Sequence, residues 1–523
     1  MNNLNFLVDV LKDSPVFKTL EKNVKPGRTV CASGLSTINK SNIIYALCRL
    51  KGVTAFCLAS DEKEAQTLCN DLSCMGLRAY VYPVRDFNFL DFQSRSHEYE
   101  HARLKVLLKL LNHECDVAIA CVDAAAQLTV PRNVLEQSVI EFEEGRELSL
   151  EKATKALTLL GYERFDAVEG SGQFSLRGGI LDFFMPDSDY PVRCEFWGDE
   201  ITDLSYFDIE TQRRFKKADK ITLSPSTEIV IEDRAALADK IEHKAKLLRS
   251  KNSAKAKEKL FSEAELIRSG AMIANADKFI NQIYDKPESL FDYLDRNTLV
   301  FASEFTAIQE RGKSMDFISN ETLMQGFEDG TLCRGFDRFA LTFNECTEFL
   351  QSHGTIVLEN FVHGSMPIKL SEIISFSTKQ LSAWGGSYKQ LKEDVDGLFT
   401  PESKGVIFAG TERAAKNLCD TFNADGINAV YSEGADKISK GELLVMQGAL
   451  SAGFEYPSQK FFAITYSQVS YRPEKSKKKK KKTGQEIYSL SELAPGDYVV
   501  HNVHGIGVFG GIRKIDTHGV IKD

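Results

Sequence analysis

No stretch of the chain approaches the run of about 18 apolar residues that a membrane-spanning helix needs, so no segment is a candidate membrane helix. The N-terminus, MNNLNFLVDVLKDSPVF, lacks a basic stretch followed by an apolar core, so export through a signal peptide is not expected. None of the eleven cysteines is paired at C-x-x-C spacing, and several lie in apolar runs, such as Cys57 in TAFCLAS and Cys121 in DVAIACV. This usage fits buried thiols in a reducing cytoplasm and excludes a disulfide framework or a cysteine zinc site. An excess of positive charge is also missing. The formal net charge is −9, so any contact with DNA has to be local. No Ser/His/Asp or Cys/His arrangement marks a catalytic nucleophile. His501 and His504, in HNVH, have neither a third ligand nor an acidic neighbour, so no metal site is expected.

What is present is α/β text. At 523 residues the chain exceeds one ordinary core, and three or four domains are expected. Across 27–125, the short apolar runs RTVCASGL, VTAFCLAS, AYVYPV and DVAIACV alternate with segments of helical period, of which residues 39–50 are the first. Asp61 reads as an N-cap, and Leu104, Leu107, Leu108 and Leu111 share one helical face. Such alternation predicts a mostly parallel sheet. The charged stretch beginning at EDRAALADK reads as a solvated helix face. NTLVFAS (297–303) reads as a strand, and 405–470 as a second, compact α/β unit. Lys477–Lys482, six lysines in succession, repel one another and read as a linker within 472–487. The last residues alternate strand and glycine text, the beginning of a small antiparallel barrel.

Residues 172–212 are the most informative. In Val192-Arg193-Cys194-Glu195-Phe196-Trp197 the side chains alternate. Val192, Cys194 and Phe196 fall on one face, and Arg193, Glu195 and Trp197 on the other. An apolar face goes to the core. A face of Arg, Glu and Trp fits a protein-binding surface, and it equally fits a solvated face with one stray tryptophan.

The template of a phosphate loop, G-x-x-x-x-G-K-[ST], is approached at Gly34 to Ser41, between a strand and a helix. Lys40 and Ser41 occupy the phosphate and magnesium positions. Asn39 replaces the second glycine, however, and its Cβ opposes the turning of successive N–H groups around an anion. Neither Asp61-Glu62 nor Asp199-Glu200 stands as a strand-terminal acidic box. A competent ATPase is not expected, and the chain offers no catalytic residues.

GQFSLRGGILDFFMP, with YPVRCEFWGDEI and FDIETQR after it, resembles the module shared by the excision-repair protein UvrB and the bacterial transcription-repair coupling factors (the Mfd family). LAPGDYVVHNVHGIGVFGG is similar to the start of the CarD-like, RNA-polymerase-interacting domain of the coupling factors, which UvrB lacks. The resemblance covers almost the whole chain and implies an α/β multidomain fold. Its parts are a degenerate P-loop, RecA-like parallel sheet (1–130 and 216–395), a β-rich UvrB-like insert that binds UvrA (131–215), a small α/β domain (400–471), the linker, and a partial CarD-like β-barrel (488–523). It implies that Arg177, Arg193 and Trp197 contact UvrA, with phenylalanine the usual residue at position 197. UvrB carries an arginine where Ser175 stands.

By this resemblance the intact protein would release RNA polymerase stalled at DNA lesions and recruit UvrA, in transcription-coupled nucleotide excision repair. ATP and magnesium would serve two translocase domains, which also hold DNA. Those domains, and one that covers the UvrA-binding surface, have no counterpart in this sequence. The chain is therefore expected to be the N-terminal half of a longer cytoplasmic protein, with no cofactor of its own and no membrane contact. Its polymerase β-subunit contact would be weakened by an incomplete barrel. One alternative is a UvrB-like damage-loading subunit, opposed by the loop at Gly34 to Ser41 and by HGIG. Another is a CarD-like regulator, which leaves 172–212 unexplained.

Overall fold

The computed structural model describes residues 4–85, 97–137, 140–248, 253–270, 276–362, 366–381 and 388–466, together with 498–501, 505–508, 515–517 and 520–522. The chain divides into two units, Met1–Val469 and Ser470–Asp523.

Seven short apolar strands build the first sheet, in the order Glu372–Ser375, Val30–Ser33, Thr355–Leu358, Leu299–Ser303, Ala55–Ala59, Val117–Cys121, Ala79–Tyr82. Every neighbouring pair is parallel. Central strands such as Ala55–Ala59 and Val117–Cys121 are buried throughout, as a sheet covered on both faces requires. Asp61 caps the helix Glu62–Cys74, accepting from the Glu64 backbone N–H at 2.7 Å. The later strands Leu299–Ser303 and Thr355–Leu358 sit in the middle of the sheet, so the sheet closes only after the chain returns from its excursion.

That excursion is a six-stranded sheet in the order Arg214–Lys217, Glu200–Phe207, Val192–Trp197, Ile180–Phe183, Gln173–Arg177, Glu163–Arg164, antiparallel except for its last pair. Its boundaries differ from the expected 131–215. Leu135 packs in the core of the first sheet, whereas Ile140–Glu143 pairs with Lys220–Leu223. The module therefore opens at Ile140 and runs past Leu223. Only the pairing of two segments far apart in sequence fixes this, and no local pattern carries it.

The second α/β sheet has the order Lys379–Leu381, Gly453–Tyr456, Phe461–Thr465, Lys404–Phe408, Glu442–Met446, Ala429–Tyr431. Lys379–Leu381 pairs with Gly453–Tyr456, and Leu391 and Val395 pack beneath the sheet. This layer thus begins near Lys379 and not at 400. The charged stretch read as a solvated helix face forms two helices, Arg234–Leu247 and Ser253–Ser269. Leu237, Ile241, Leu260, Ala264 and Ile267 are buried between them with Phe279 and Phe336.

The two α/β sheets share one core. The helix Thr37–Lys51 is buried continuously from Ile38 to Cys48, and the cluster around it contains Val30 and Phe301 of one sheet and Phe408, Phe454 and Phe461 of the other. Polar side chains cross the junction too. Tyr456 donates its hydroxyl to Asn42 at 2.9 Å, and Ser451 donates N–H and Oγ to Asp71, both at 2.7 Å.

In the second unit, Tyr498–His501 pairs antiparallel with Gly505–Val508, and Ile515–Thr517 with Val520–Lys522. Lys477–Lys482 and His504 lie outside the described residues. Among the described residues no helix is long and apolar enough to cross a membrane, and no group of three His, Cys, Asp or Glu is placed to hold a metal ion. All eleven cysteines are unpaired, and ten are buried. Burial raises their thiols, Cys31 and Cys121 to about 12.

The exit from the insert is tied to the first sheet by an ion pair with no exposure. Arg103 donates Nε to Glu228 at 2.6 Å and Nη1 to Gln127 at 2.9 Å, and lies 4.1 Å from the Tyr82 ring centroid. Thr129 donates to the other Glu228 oxygen at 2.7 Å. Removing one member of such a pair strands a buried charge. Arg103→Met is expected to destabilise Met1–Val469 by about 3–5 kcal/mol, read as a lower urea midpoint.

Candidate functional site

The insert sheet has one apolar and one polar face, set by strand alternation. Val192, Cys194 and Phe196 are buried, Arg193 and Glu195 are half-buried, and Trp197 is 82% exposed. Register then places residues side by side. Asp182 stands opposite Arg193 and Ser175, and Ile180 opposite Glu195 and Arg177. The hairpin turns after Arg177 and Trp197 therefore lie at the same end of the sheet. Both bend at a glycine of positive φ, Gly178 at 63° and Gly198 at 65°. Phe196 N–H donates to the Gly179 carbonyl at 2.8 Å, and a Cβ at Gly179 would meet the Phe196 oxygen at 2.7 Å. Arg177 and Trp197 therefore stand on the same face at the same end of the sheet, with the strand Ile180–Phe183 between them.

Arg193 does not reach outward as the resemblance implied. It donates Nε and Nη2 to the two Asp182 oxygens at 2.7 and 2.8 Å, and Nη1 to the Gln212 carbonyl at 3.1 Å, and lies 4.5 Å from the Phe207 ring centroid. Its side chain is only 12% exposed, and its hydrogen bonds to the Asp182 carboxylate hold it more firmly protonated than usual. Arg177, about half exposed, shares the buried Asp182 through a 2.7 Å bond. Arg214 spans Glu195 and Asp203 on the same face. Sequence reading found Arg177, Arg193 and Trp197 and missed Asp182, Gln212 and Arg214. The signal for Asp182 was available, because pairing the hairpins sets it against Arg193. Gln212, at φ 57°, comes from a loop that no periodicity locates.

The loop at Gly34 to Ser41 lies at the carboxyl end of the parallel sheet, where α/β folds bind ligands. Two of its backbone donors are engaged. Gly34 N–H and Leu35 N–H donate to the carbonyls of Asn360 and Glu359, at 3.2 and 3.1 Å. Gly34 has φ 78°, and a Cβ there would lie 2.2 Å from the Phe376 oxygen. Asn39 is buried and accepts from Ser36 Oγ at 2.6 Å. Lys40, 1% exposed, donates Nζ to Glu304 at 2.6 Å, Ser303 at 2.9 Å and Glu64 at 3.4 Å. Ser41 Oγ donates to Thr37 and Asp71. Glu359 is buried beside this cage and accepts from Phe305 N–H at 2.8 Å. Burial, with the Glu304 carboxylate adjacent, pushes Glu359 up to about 7. An entering phosphate would meet carboxylates and a lysine already neutralised by them.

Residues 140–229 match the family model of the UvrB interaction domain, and residues 493–523 that of the CarD-like/TRCF RID domain. The chain is thus a protein with a UvrB interaction domain built into an α/β framework. It is 28% identical over 529 residues to the transcription-repair-coupling factor of Bacillus subtilis (strain 168), an alignment covering 98% of this chain and 44% of that one. It is 25% identical over 462 residues to that of Staphylococcus haemolyticus (strain JCSC1435), with 85% and 38% covered. Over most of its length, then, the chain is a homologue of the transcription-repair-coupling factors. It spans less than half the length of these curated relatives.

A carboxyl with a raised folded value binds its proton more tightly folded than unfolded. Between its ordinary value of 4.5 and about 7, the folded state therefore holds the extra proton, and stability falls as pH rises through that window. Denaturation midpoints of Met1–Val469 are expected to drop across it, and Glu359→Gln to flatten that part of the slope.

Proposed function

We propose that the chain acts in transcription-coupled nucleotide excision repair by docking UvrA on its 140–229 sheet. The supporting observation is Trp197, 82% exposed at the tip of a braced hairpin, on the same face as Arg177 and inside the region matching a UvrB interaction domain. A large exposed ring on a rigid turn loses little entropy on binding and fills a partner pocket well. Arg177 keeps part of its guanidinium free for an acidic group on UvrA. Arg193 and Asp182 act as the brace that fixes both.

In the same reading, 493–523 takes part in contact with RNA polymerase, as the name of its matching domain suggests. The loop at Gly34 to Ser41 binds no nucleotide in this proposal, because Lys40 and the loop's first two backbone donors are already paired inside the protein. ATP hydrolysis and movement along DNA are assigned to those portions of the longer relatives that this chain does not span. A UvrB-like damage-loading role is less well supported, since the polymerase-type segment accompanies the insert.

Trp197→Ala is expected to weaken UvrA binding by about 2 kcal/mol, roughly 30-fold, in calorimetric titration. Arg177→Ala should also weaken it, by a smaller factor. Wild-type affinity in both variants would refute the docking surface. Arg193→Ala should weaken binding and lower the unfolding midpoint together, since it removes the brace. Equilibrium dialysis with ATP is expected to show no saturable binding. Saturable binding abolished by Lys40→Ala would restore the phosphate loop.

A further inference from the structure

The edge strand of the insert sheet, Arg214–Lys217, continues from Arg213 and reads Arg213-Arg214-Phe215-Lys216-Lys217. All five residues are exposed, in a chain whose net charge is −9. Phe215 is 52% exposed and meets Tyr190, 49% exposed, edge to face, with ring centroids 4.7 Å apart and planes at 67°. Neither ring belongs to the insert core. Arg214 is committed to Glu195 and Asp203, and Lys217 to Glu144. Among the described residues Arg213 and Lys216 have no carboxylate partner, and Lys216 only grazes the Tyr206 ring at 6.0 Å. Two accessible rings thus stand beside two uncommitted cations.

We propose that this edge binds single-stranded nucleic acid, with bases stacking on Phe215 and Tyr190 and phosphates paired to Arg213 and Lys216. Interleaved cations and open aromatic faces are what an unpaired strand engages, because every base has a stackable face and every linkage a charge. A duplex hides its base faces from such rings. An added peptide strand fits less well. The pairing to the neighbouring strand is bulged between Tyr206 and Phe207, and the edge carries a charge at four of five positions. Both features obstruct edge-to-edge pairing. The patch is separate from the Trp197 tip, and the inference stands whether or not UvrA docks there.

Fluorescence anisotropy of the full chain with labelled oligo(dT) of about 12 nucleotides, at several salt concentrations, tests it. Phe215→Ala and Phe215→Leu are each expected to weaken binding about 10-fold with the salt slope unchanged. The leucine keeps the apolar volume without the ring face. Arg213→Ser and Lys216→Ser should each reduce the salt slope by about 1. Unfolding midpoints and UvrA affinity of the Phe215 variants should stay at wild-type values. Four outcomes of the oligonucleotide titrations would overturn the proposal. These are no binding at low salt, equal binding by Phe215→Leu, duplex binding tighter than single-strand binding, and binding lost only when Lys477–Lys482 are replaced by serine. A parallel loss of UvrA affinity would also overturn it, by merging the two surfaces.

Discussion

The rest of the structure depends on the complete burial of one polar helix start. Lys40, on the helix shared by the two α/β sheets, has almost no exposure, and a buried ammonium survives only where carboxylates and hydroxyls surround it. Glu64 and the adjacent pair Ser303 and Glu304 supply that cage from two separate parts of the chain. The cage joins the first sheet's early strands to those that arrive after the insert. It also fills the place at the carboxyl end of the strands where a ligand would otherwise enter. Glu304 adopts φ 56° to do so, a left-handed backbone that a non-glycine residue keeps only when its surroundings over-determine it.

The insert carries the second polar cluster. The insert has its own core, built from Phe142, Leu157, Phe174, Leu181, Phe183 and Cys194, and so presents its polar face on a stiff support. Asp182 plays there a part similar to that of the Lys40 cage. One buried carboxylate, held by two arginines, fixes the geometry of a surface. The difference lies in exposure. The Lys40 cage is closed, whereas the Asp182 cluster leaves one edge of Arg177 and the whole of Trp197 to solvent.

Much of the architecture was legible locally. The apolar runs at 30–33, 55–59 and 117–121 could only be buried strands, Asp61 could only help a helix begin, and strict alternation at 192–197 placed Trp197 outside. The module boundaries were not legible, because Ile140–Glu143 finds its partner at Lys220–Leu223 and Lys379–Leu381 at Gly453–Tyr456. Such pairings span tens of residues and leave no periodic trace. The break of 234–269 into two helices was not legible for a related reason. The charges there are conspicuous, while the thin apolar seam that pairs the helices is sparse in sequence.

The sequence by itself determined which side chains this protein could present: a defective phosphate-loop pattern at Asn39, an arginine-and-tryptophan strand, and a chain without a membrane helix or cysteine framework. Only the tertiary structure decided what those side chains do. Lys40 stands in sequence at the phosphate position of a defective loop, and Arg193 on the polar side of a strand. Folding turns both inward, because carboxylates from distant segments converge on them and a charge leaves water only for a partner of opposite sign. Trp197 stays outward because the turn at Gly198 carries it past the last residue of the core.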